Sequence, residues 1–391
     1  MTADAPASPA APALEPRVSQ AGEPRSARVE SLRALAALSV LVAHIYGNSL
    51  IPGDSGTGNI IGKALLGGGF GVYLFFALSG YLLYRPFVRH FFGGGDPIDL
   101  RRYALNRALR ILPLYYAVSI VVILTVGHGG SPTLWLKFAL FAQNYFPSSF
   151  LALDSPMWSL VVELHFYLLL PVMAYVLWRL SRGSVRTAML LLVVLGLVSG
   201  AGRFAAIVLT QPANEFMRYA SPTNFIFFVP GLLLAHLDVS WRTARPAWLV
   251  GLRGHSSVWL VPAAVAWAVV LSNYSLEALL LVASFFTVGA CVLPLTAGMP
   301  VRLLRWRPLA ILGLASYSLY LWQFPIVVQM SHGMDLPQGF LAHLAIVAPV
   351  CIVVALISYR LIEAPWLSLR KRWSPSSPAP AATYGKALAR S

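Results

Sequence analysis

Ten apolar runs of roughly 20 residues dominate the chain, and a run of that length is what a helix needs to cross the hydrocarbon core of a bilayer. They fall at about 32–50, 68–88, 109–127, 157–178, 187–209, 222–238, 257–273, 276–298, 309–330 and 340–360. A further run at 134–142 is too short to span and reads as interfacial. Only 11% of the residues are charged and 58% are hydrophobic, where a soluble domain carries about 25% charged residues. A soluble globular protein is therefore excluded, and the lipid bilayer is the first partner. The net charge of +15 does not point to nucleic acid, because the basic residues sit in short clusters between apolar runs. Cys291 and Cys351 lie within such runs and are expected to pack, not to bridge or bind metal. Residues 1–27 are Ala/Pro-rich and carry no secretory signal pattern, and 374–391 are similar. Both are expected to be disordered cytoplasmic tails around a transmembrane domain at 28–373.

Orientation follows from the positive-inside rule. With a cytoplasmic N-terminus and ten crossings, the basic residues of 1–33, 85–110, 179–186, 242–253, 302–307 and 360–391 all fall inside. Of 29 Lys and Arg, only Lys63, Lys137, Arg203 and Arg218 fall outside. The expected architecture is an all-α membrane protein of about ten transmembrane helices, with N- and C-termini cytoplasmic, in the inner or plasma membrane.

Ionisable groups inside spans are costly and mark function by default. His44 in the first span and Glu163 in the fourth are the clearest; His165, Arg203 and the polar Gln323 join them. At 1.5 Å per residue, His44 lies about 12 Å, and Glu163 and Gln323 about 9 Å, below the outer face. These depths predict one polar layer in the outer half. Arg33 precedes His44 by eleven residues, close to three full turns, so both share a face about 16 Å apart. That suits a long ligand with an anionic head at the cytoplasmic rim and a reactive tail at the histidine. A helix-end anchor and a hydrogen-bonded core histidine would give the same spacing. Glu163 could take a proton, orient His44 or pair with Arg203.

RRYALNRALRILPLYY places Arg101, Arg102, Arg107 and Arg110 before the third span. Arg107 and Arg110 are i,i+3 neighbours on one face, and paired guanidiniums suit phosphate; ordinary positive-inside decoration is the other reading. GGGFGVYLFFALSGYLLYRPF opens the second span, where the glycines and Ser79 allow close approach of a helix or of a thin ligand. SPMWSLVVELHFYLLLP gathers Trp158, Glu163 and Tyr167 within three turns, with Ser155 expected as N-cap before Pro156. Its ELH lacks the HExxH spacing of a zinc site, and no metal is expected.

These segments together resemble the acyltransferase family 3 of integral membrane proteins. The elements are Arg33 and His44 with ten residues between them, FFALSGYL at 75–82, and Arg107, Arg110, Ile111, Pro113 and Tyr115. They continue with Trp158, Ser159, Leu160, Glu163, Phe166 and Tyr167, then Gly313, Ser316, Tyr317, Leu319, Tyr320, Leu321 and Pro325, and finally Tyr359, Ile362, Glu363 and Pro365. They are collinear from 28 to 366. Two positions depart: Glu30 stands where an Asp is usual, and Gln323 where a histidine is usual. An amide cannot take up a proton as imidazole can. The chain ends shortly after the tenth span, so the appended extracytoplasmic hydrolase-like domain of longer members is not expected.

The resemblance implies transfer of an acyl group, commonly acetyl, from cytoplasmic acyl-CoA to a hydroxyl of a glycan or glycoside-type metabolite. Acyl-CoA is then a co-substrate and no cofactor is resident. Arg33, Arg107 and Arg110 would hold the CoA phosphates. His44 would act as general base or carry the acyl group itself, with Glu163 orienting or charging the imidazole. Ser79, Trp158, Tyr167, Tyr317, Tyr320 and Gln323 are the expected acceptor or pocket residues. The rival is a proton-coupled secondary transporter using His44 and Glu163 as a relay, which would show broken helices at matching positions in two related halves. A non-catalytic scaffold leaves the collinear motifs unexplained.

Overall fold

The computed structural model describes residues 27–50, 55–149, 156–209, 217–244, 256–293 and 303–372. Among them there are helices and no strands. The first expected span is α1 (Ala27–Asn48). The second is α2 (Ile60–Leu66), which passes through a 3-10 turn (Gly67–Phe70) into α3 (Gly71–Gly93). α4 (Leu100–Thr125) is the third, and the short α5 (Pro132–Ala139) takes up the interfacial run. α6 (Met157–Ser181) and α7 (Val185–Leu209) follow. A one-turn α8 (Ser221–Asn224) then leads through a 3-10 turn (Phe225–Phe228) into α9 (Val229–Ala244). The remaining segments are α10 (Ser256–Ser272), α11 (Leu279–Val292), α12 (Arg307–Leu314), α13 (Ser316–Gly333) and α14 (Phe340–Ser358). A π-helical turn (Tyr359–Glu363) continues α14 into α15 (Ala364–Arg372).

Every expected span thus coincides with a helix or a helix run. Seven are long and apolar enough to cross a membrane, and the α12–α13 pair makes an eighth if it counts as one span. α10 and α11, of 17 and 14 residues, are too short to count among them. The protein is a multi-pass membrane protein. Large side chains such as Leu168, Leu169, Val172, Leu190 and Leu197 stay exposed on α6 and α7, as lipid-facing positions do. Cys291 and Cys351 are buried and unbonded, as packing residues should be. Ser155 and the two terminal tails lie outside the described residues.

One expectation changes. The apolar run 309–330 is not one straight span: α12 and α13 meet at Ala315 with a bend of 72°. Among the described residues it is the only pair that is together long and apolar enough to span yet bends by more than 40° at a short break.

Helices approach closely where glycine permits it. A Cβ on Gly231 of α9 would stand 1.8 Å from the Ala77 carbonyl oxygen of α3, and one on Gly80 would stand 2.5 Å from that of Phe228. Gly80, in the FFALSGYL element, therefore serves helix packing. Gly313 near the end of α12 is as tight: its Cβ would lie 1.9 Å from the Glu30 carbonyl oxygen of α1. That contact closes α12 over the start of α1, and Glu30, Ser31 and Leu32 are buried in consequence.

Gly313→Ala is predicted to cost about 1–3 kcal/mol by overpacking, read as a lower midpoint for loss of monodisperse protein on heating in detergent. Gly69→Ala, where a Cβ meets nothing within 4 Å, should leave the midpoint in place. An unchanged Gly313→Ala midpoint would mean the two backbones are not this close.

Candidate active site

The break at Ala315 starts a new helix inside the protein, and a helix start leaves backbone N–H groups without partners. In lipid these cannot turn to water. Here Glu363, from the π-helical turn, supplies the acceptor: its Oε1 receives the Ser318 backbone N–H at 3.0 Å and the Ser318 hydroxyl at 2.6 Å. A carboxylate at a helix N-terminus also meets the positive end of the helix dipole. Its other oxygen, Oε2, accepts from Arg110 Nη1 of α4 at 2.8 Å. The π turn adds the residue that brings Glu363 inward, a common use of such turns at functional sites. Arg110 lies over the ring of Tyr317 at 5.6 Å, and the Tyr317 hydroxyl donates to the Ile111 carbonyl at 2.9 Å.

Beside this ion pair lies a small cavity of about 40 Å³. Arg33, Phe75, Glu163, Ser316, Tyr317 and Tyr320 are on its wall. Arg33 Nε donates to Ser316 Oγ at 3.2 Å, at the first residue of α13, and approaches Glu30 Oε2 at 3.7 Å. The Arg33 guanidinium also rests over Phe75 at 5.7 Å. Glu163 accepts short hydrogen bonds from the hydroxyls of Ser79 and Tyr167, and Arg107 lies over the Tyr167 ring at 5.8 Å. Tyr320 shares a hydrogen bond with Ser159 Oγ at 2.8 Å. Trp158 packs behind this wall, edge-on to Phe76 at 5.9 Å and to Tyr219 at 5.1 Å.

A second layer lies three turns further along α1. His44 packs edge-on to Phe324 of α13 with ring centroids 5.0 Å apart. Its Nδ1 is buried without a hydrogen-bond partner among the described residues. Gln323, next to Phe324, is fully buried; its Nε2 donates to the Tyr320 carbonyl at 3.3 Å, and its Oε1 has no partner. Two adjacent helices thus each carry a buried polar atom that lacks the bond such atoms normally have.

The structure corrects four expectations. Glu163 does not share the His44 layer; it shares the cavity of Arg33, and its partners are Ser79 and Tyr167. Met157, from which the depth of Glu163 was counted, is buried within the protein. It is 1% exposed, and Asn144 of the 143–149 segment donates to the Trp158 carbonyl at 2.8 Å, so α6 begins beneath a cover. Arg33 is likewise not at the open rim, since α12 closes over the first turns of α1. Arg110 does not form a surface phosphate clamp with Arg107: it is 9% exposed and bound to a buried carboxylate. Arg203 pairs not with Glu163 but with Glu277, through Nε at 2.9 Å and Nη2 at 3.1 Å.

His165 also lies apart from the cavity. Two residues beyond Glu163, it points to the other face of α6. There its Nδ1 meets Ser221 Oγ at 2.7 Å and Tyr145 OH at 3.2 Å, on the wall of an apolar groove of about 640 Å³. Ser316, Ser318 and Glu363 were not singled out as site residues. Their signal was present in the SYSLYL and YRLIEAP elements, but the contact joins positions 45 residues apart. No group of His, Cys, Asp and Glu that could hold a metal occurs among the described residues.

A family profile described as an acyltransferase domain matches residues 26–360. The chain belongs to this acyltransferase family. Among its relatives, YrhL of Bacillus subtilis (strain 168) is 26% identical over 366 residues, covering 86% of this chain and 54% of the relative. The O-acetyltransferase OatA of Staphylococcus aureus (strain NCTC 8325 / PS 47) is 23% identical, covering 86% and 56%. The peptidoglycan O-acetyltransferase OatA of Listeria monocytogenes serovar 1/2a is also 23% identical, covering 86% and 55%. The chain thus spans about half the length of these relatives. No solved structure matches it.

Breaking the Arg110–Glu363 pair should be costly, because it leaves a buried charge alone. Glu363→Ala is predicted to destabilise the acyltransferase by about 3–5 kcal/mol, measured by heating in detergent. The double variant Arg110→Met, Glu363→Leu should recover part of that loss. A double variant no better than the single one would mean the charges are not coupled.

Proposed function

We propose that this acyltransferase moves an acyl group, acetyl in the first instance, from cytoplasmic acyl-CoA to a hydroxyl of a glycan or glycoside-type acceptor. Relatives named as O-acetyltransferases support the reaction class, and the peptidoglycan named for the Listeria relative supports a glycan acceptor. The topology proposed with it has ten crossings and both termini in the cytoplasm. Arg33 and Arg107 would meet the phosphates of the donor, since phosphate favours guanidinium donors. Arg110 is reassigned to hold Glu363 and, through it, the start of α13.

The observation that carries this reading is the polar track along α1. Arg33 opens on the cavity, and His44 follows three turns later with a buried Nδ1 that has no partner, opposite an equally unpartnered Gln323 oxygen. A thin donor lying along this track would bring its thioester to His44. As general base, His44 takes the proton of the acceptor hydroxyl. The hydroxyl oxygen bonds to the acyl carbon, the carbon–sulfur bond breaks, and the proton passes to the departing thiolate. In the two-step version His44 first takes the acyl group, releasing the thiol, and the acceptor oxygen then displaces the imidazole. Ser79, Tyr167 and Glu163 would shape the cavity wall. Trp158, Tyr317, Tyr320 and Gln323 would border the acceptor.

The test is turnover of acyl-CoA and a glycan acceptor by purified protein in detergent, where no gradient can drive a transporter. His44→Ala should lose at least about 100-fold in rate, the lower end for a general base, while eluting as folded protein. Retained turnover would sink the role of His44, and no turnover by the parent chain would sink the activity. Arg107→Ala should raise the KM for acyl-CoA far more than that for the acceptor; equal losses would argue for a packing defect.

A further inference from the structure

The charges on the presumptive outer face are few, and they are not scattered. Of the four cations the topology leaves outside, Lys63, Arg203 and Arg218 collect around one pocket of about 560 Å³. Arg203, Phe204, Arg218, Tyr274, Ser275 and Glu277 are among its lining residues. Lys63 stands beside it: its Nζ donates to the Ser272 carbonyl at 3.3 Å, and its own carbonyl accepts from the Tyr274 hydroxyl. Gathering cations on this face runs against the usual bias of membrane proteins, so the cluster calls for a use.

The two arginines differ in what they have left to give. Arg203 is 5% exposed and fully engaged. Glu277 takes Nε and Nη2, the Tyr73 hydroxyl takes Nη2 at 3.2 Å, and Asn224 Oδ1 and the Arg218 carbonyl take Nη1 at 2.9 and 3.0 Å. Arg203 and Glu277 therefore neutralise each other and form the floor. The Arg218 side chain is 40% exposed and reaches the same carboxylate with Nη2 only at 3.6 Å. Among the described residues, Arg203 and Arg218 share the one carboxylate of Glu277. Tyr274 and Phe204 add apolar ring surface of the sort that packs against a pyranose face, and the volume lies in the range of small-molecule sites.

The pocket also borders the cavity of Arg33 and Glu163. Tyr73, bonded to Arg203, adjoins Val72 in the chain, and Val72 is on the cavity wall with Arg33 and Glu163. Phe76, edge-on to Tyr73 at 6.2 Å, is on that wall too. Tyr73 and Phe76 thus form the partition between the two spaces.

We propose that this pocket is the acceptor subsite and takes a carboxylate-bearing sugar residue, with Arg218 binding the carboxylate and Tyr274 the ring face. This rests on the acyl-transfer reading above. The subsite would select an acidic glycan over a neutral one and hold it within one side-chain layer of the cavity.

The experiment is equilibrium binding to the full chain in detergent of two probes, a carboxylated amino-sugar disaccharide and its methyl ester. The acid should bind about tenfold more tightly than the ester, as one charge-assisted hydrogen bond implies. Arg218→Gln should bring that ratio close to one, with ester binding kept, and Arg218→Lys should restore part of it. A ratio of one in the parent chain, or one unmoved by Arg218→Gln, overturns the proposal. So does displacement of the acid by inorganic phosphate at equal concentration, which would make the site a phosphate site. Acyl-CoA consumption by the same preparation is followed in parallel. Its absence would overturn the activity and leave the binding ratio readable, whereas consumption with a ratio of one would overturn the subsite alone.

Discussion

A helix that starts inside a membrane protein must find acceptors for its first N–H groups, and here one carboxylate does so. Glu363 receives the backbone and the hydroxyl of Ser318, and Arg110 balances its charge. Neither half suffices alone. A buried carboxylate without a cation is expensive, and a buried guanidinium without an anion is equally so. Together they fix where α13 begins, and that decides where Ser316 lies. Ser316 is the residue that Arg33 holds, and Tyr317 and Tyr320 on the next turn are on the cavity wall. The cavity is thus set by an ion pair whose members are 253 positions apart in the chain.

The helices were legible in the sequence because lipid imposes a length and a polarity on each one. The ten apolar runs and the short interfacial run all reappear as helices. What hydropathy does not carry is where a run breaks. The stretch 309–330 is apolar throughout, and the 72° turn at Ala315 depends on Gly313 meeting Glu30 and on Glu363 capping the new start. Depth was legible only where helix ends lie at the membrane surface. α6 begins under the 143–149 segment, so its first residue is a buried one and not a mark of the membrane surface. Ion-pair partners were not legible either. Arg203 finds Glu277 across 74 positions, and local patterning gives no sign of so distant a choice.

Separating Glu163 from His44 changes what each can do. Glu163 already accepts from two hydroxyls, and one of them belongs to the tyrosine that carries Arg107 on its ring. These contacts tie α3, α4 and α6 together at the cavity. A carboxylate so placed holds a wall in shape, and its hydrogen bonds go to Ser79 and Tyr167 and not to the imidazole it was expected to orient. The two polar groups are joined along α1, from Arg33 to His44, and along α13, where Gln323 bonds the carbonyl of Tyr320 on the cavity wall.

Gln323 sharpens the role of His44. Where an imidazole is usual, this chain has an amide, which offers a donor and an acceptor but no titrating proton. In the reaction proposed above, a proton moved in this layer moves through His44, because the Gln323 amide can hold a hydrogen-bond partner in place but cannot titrate.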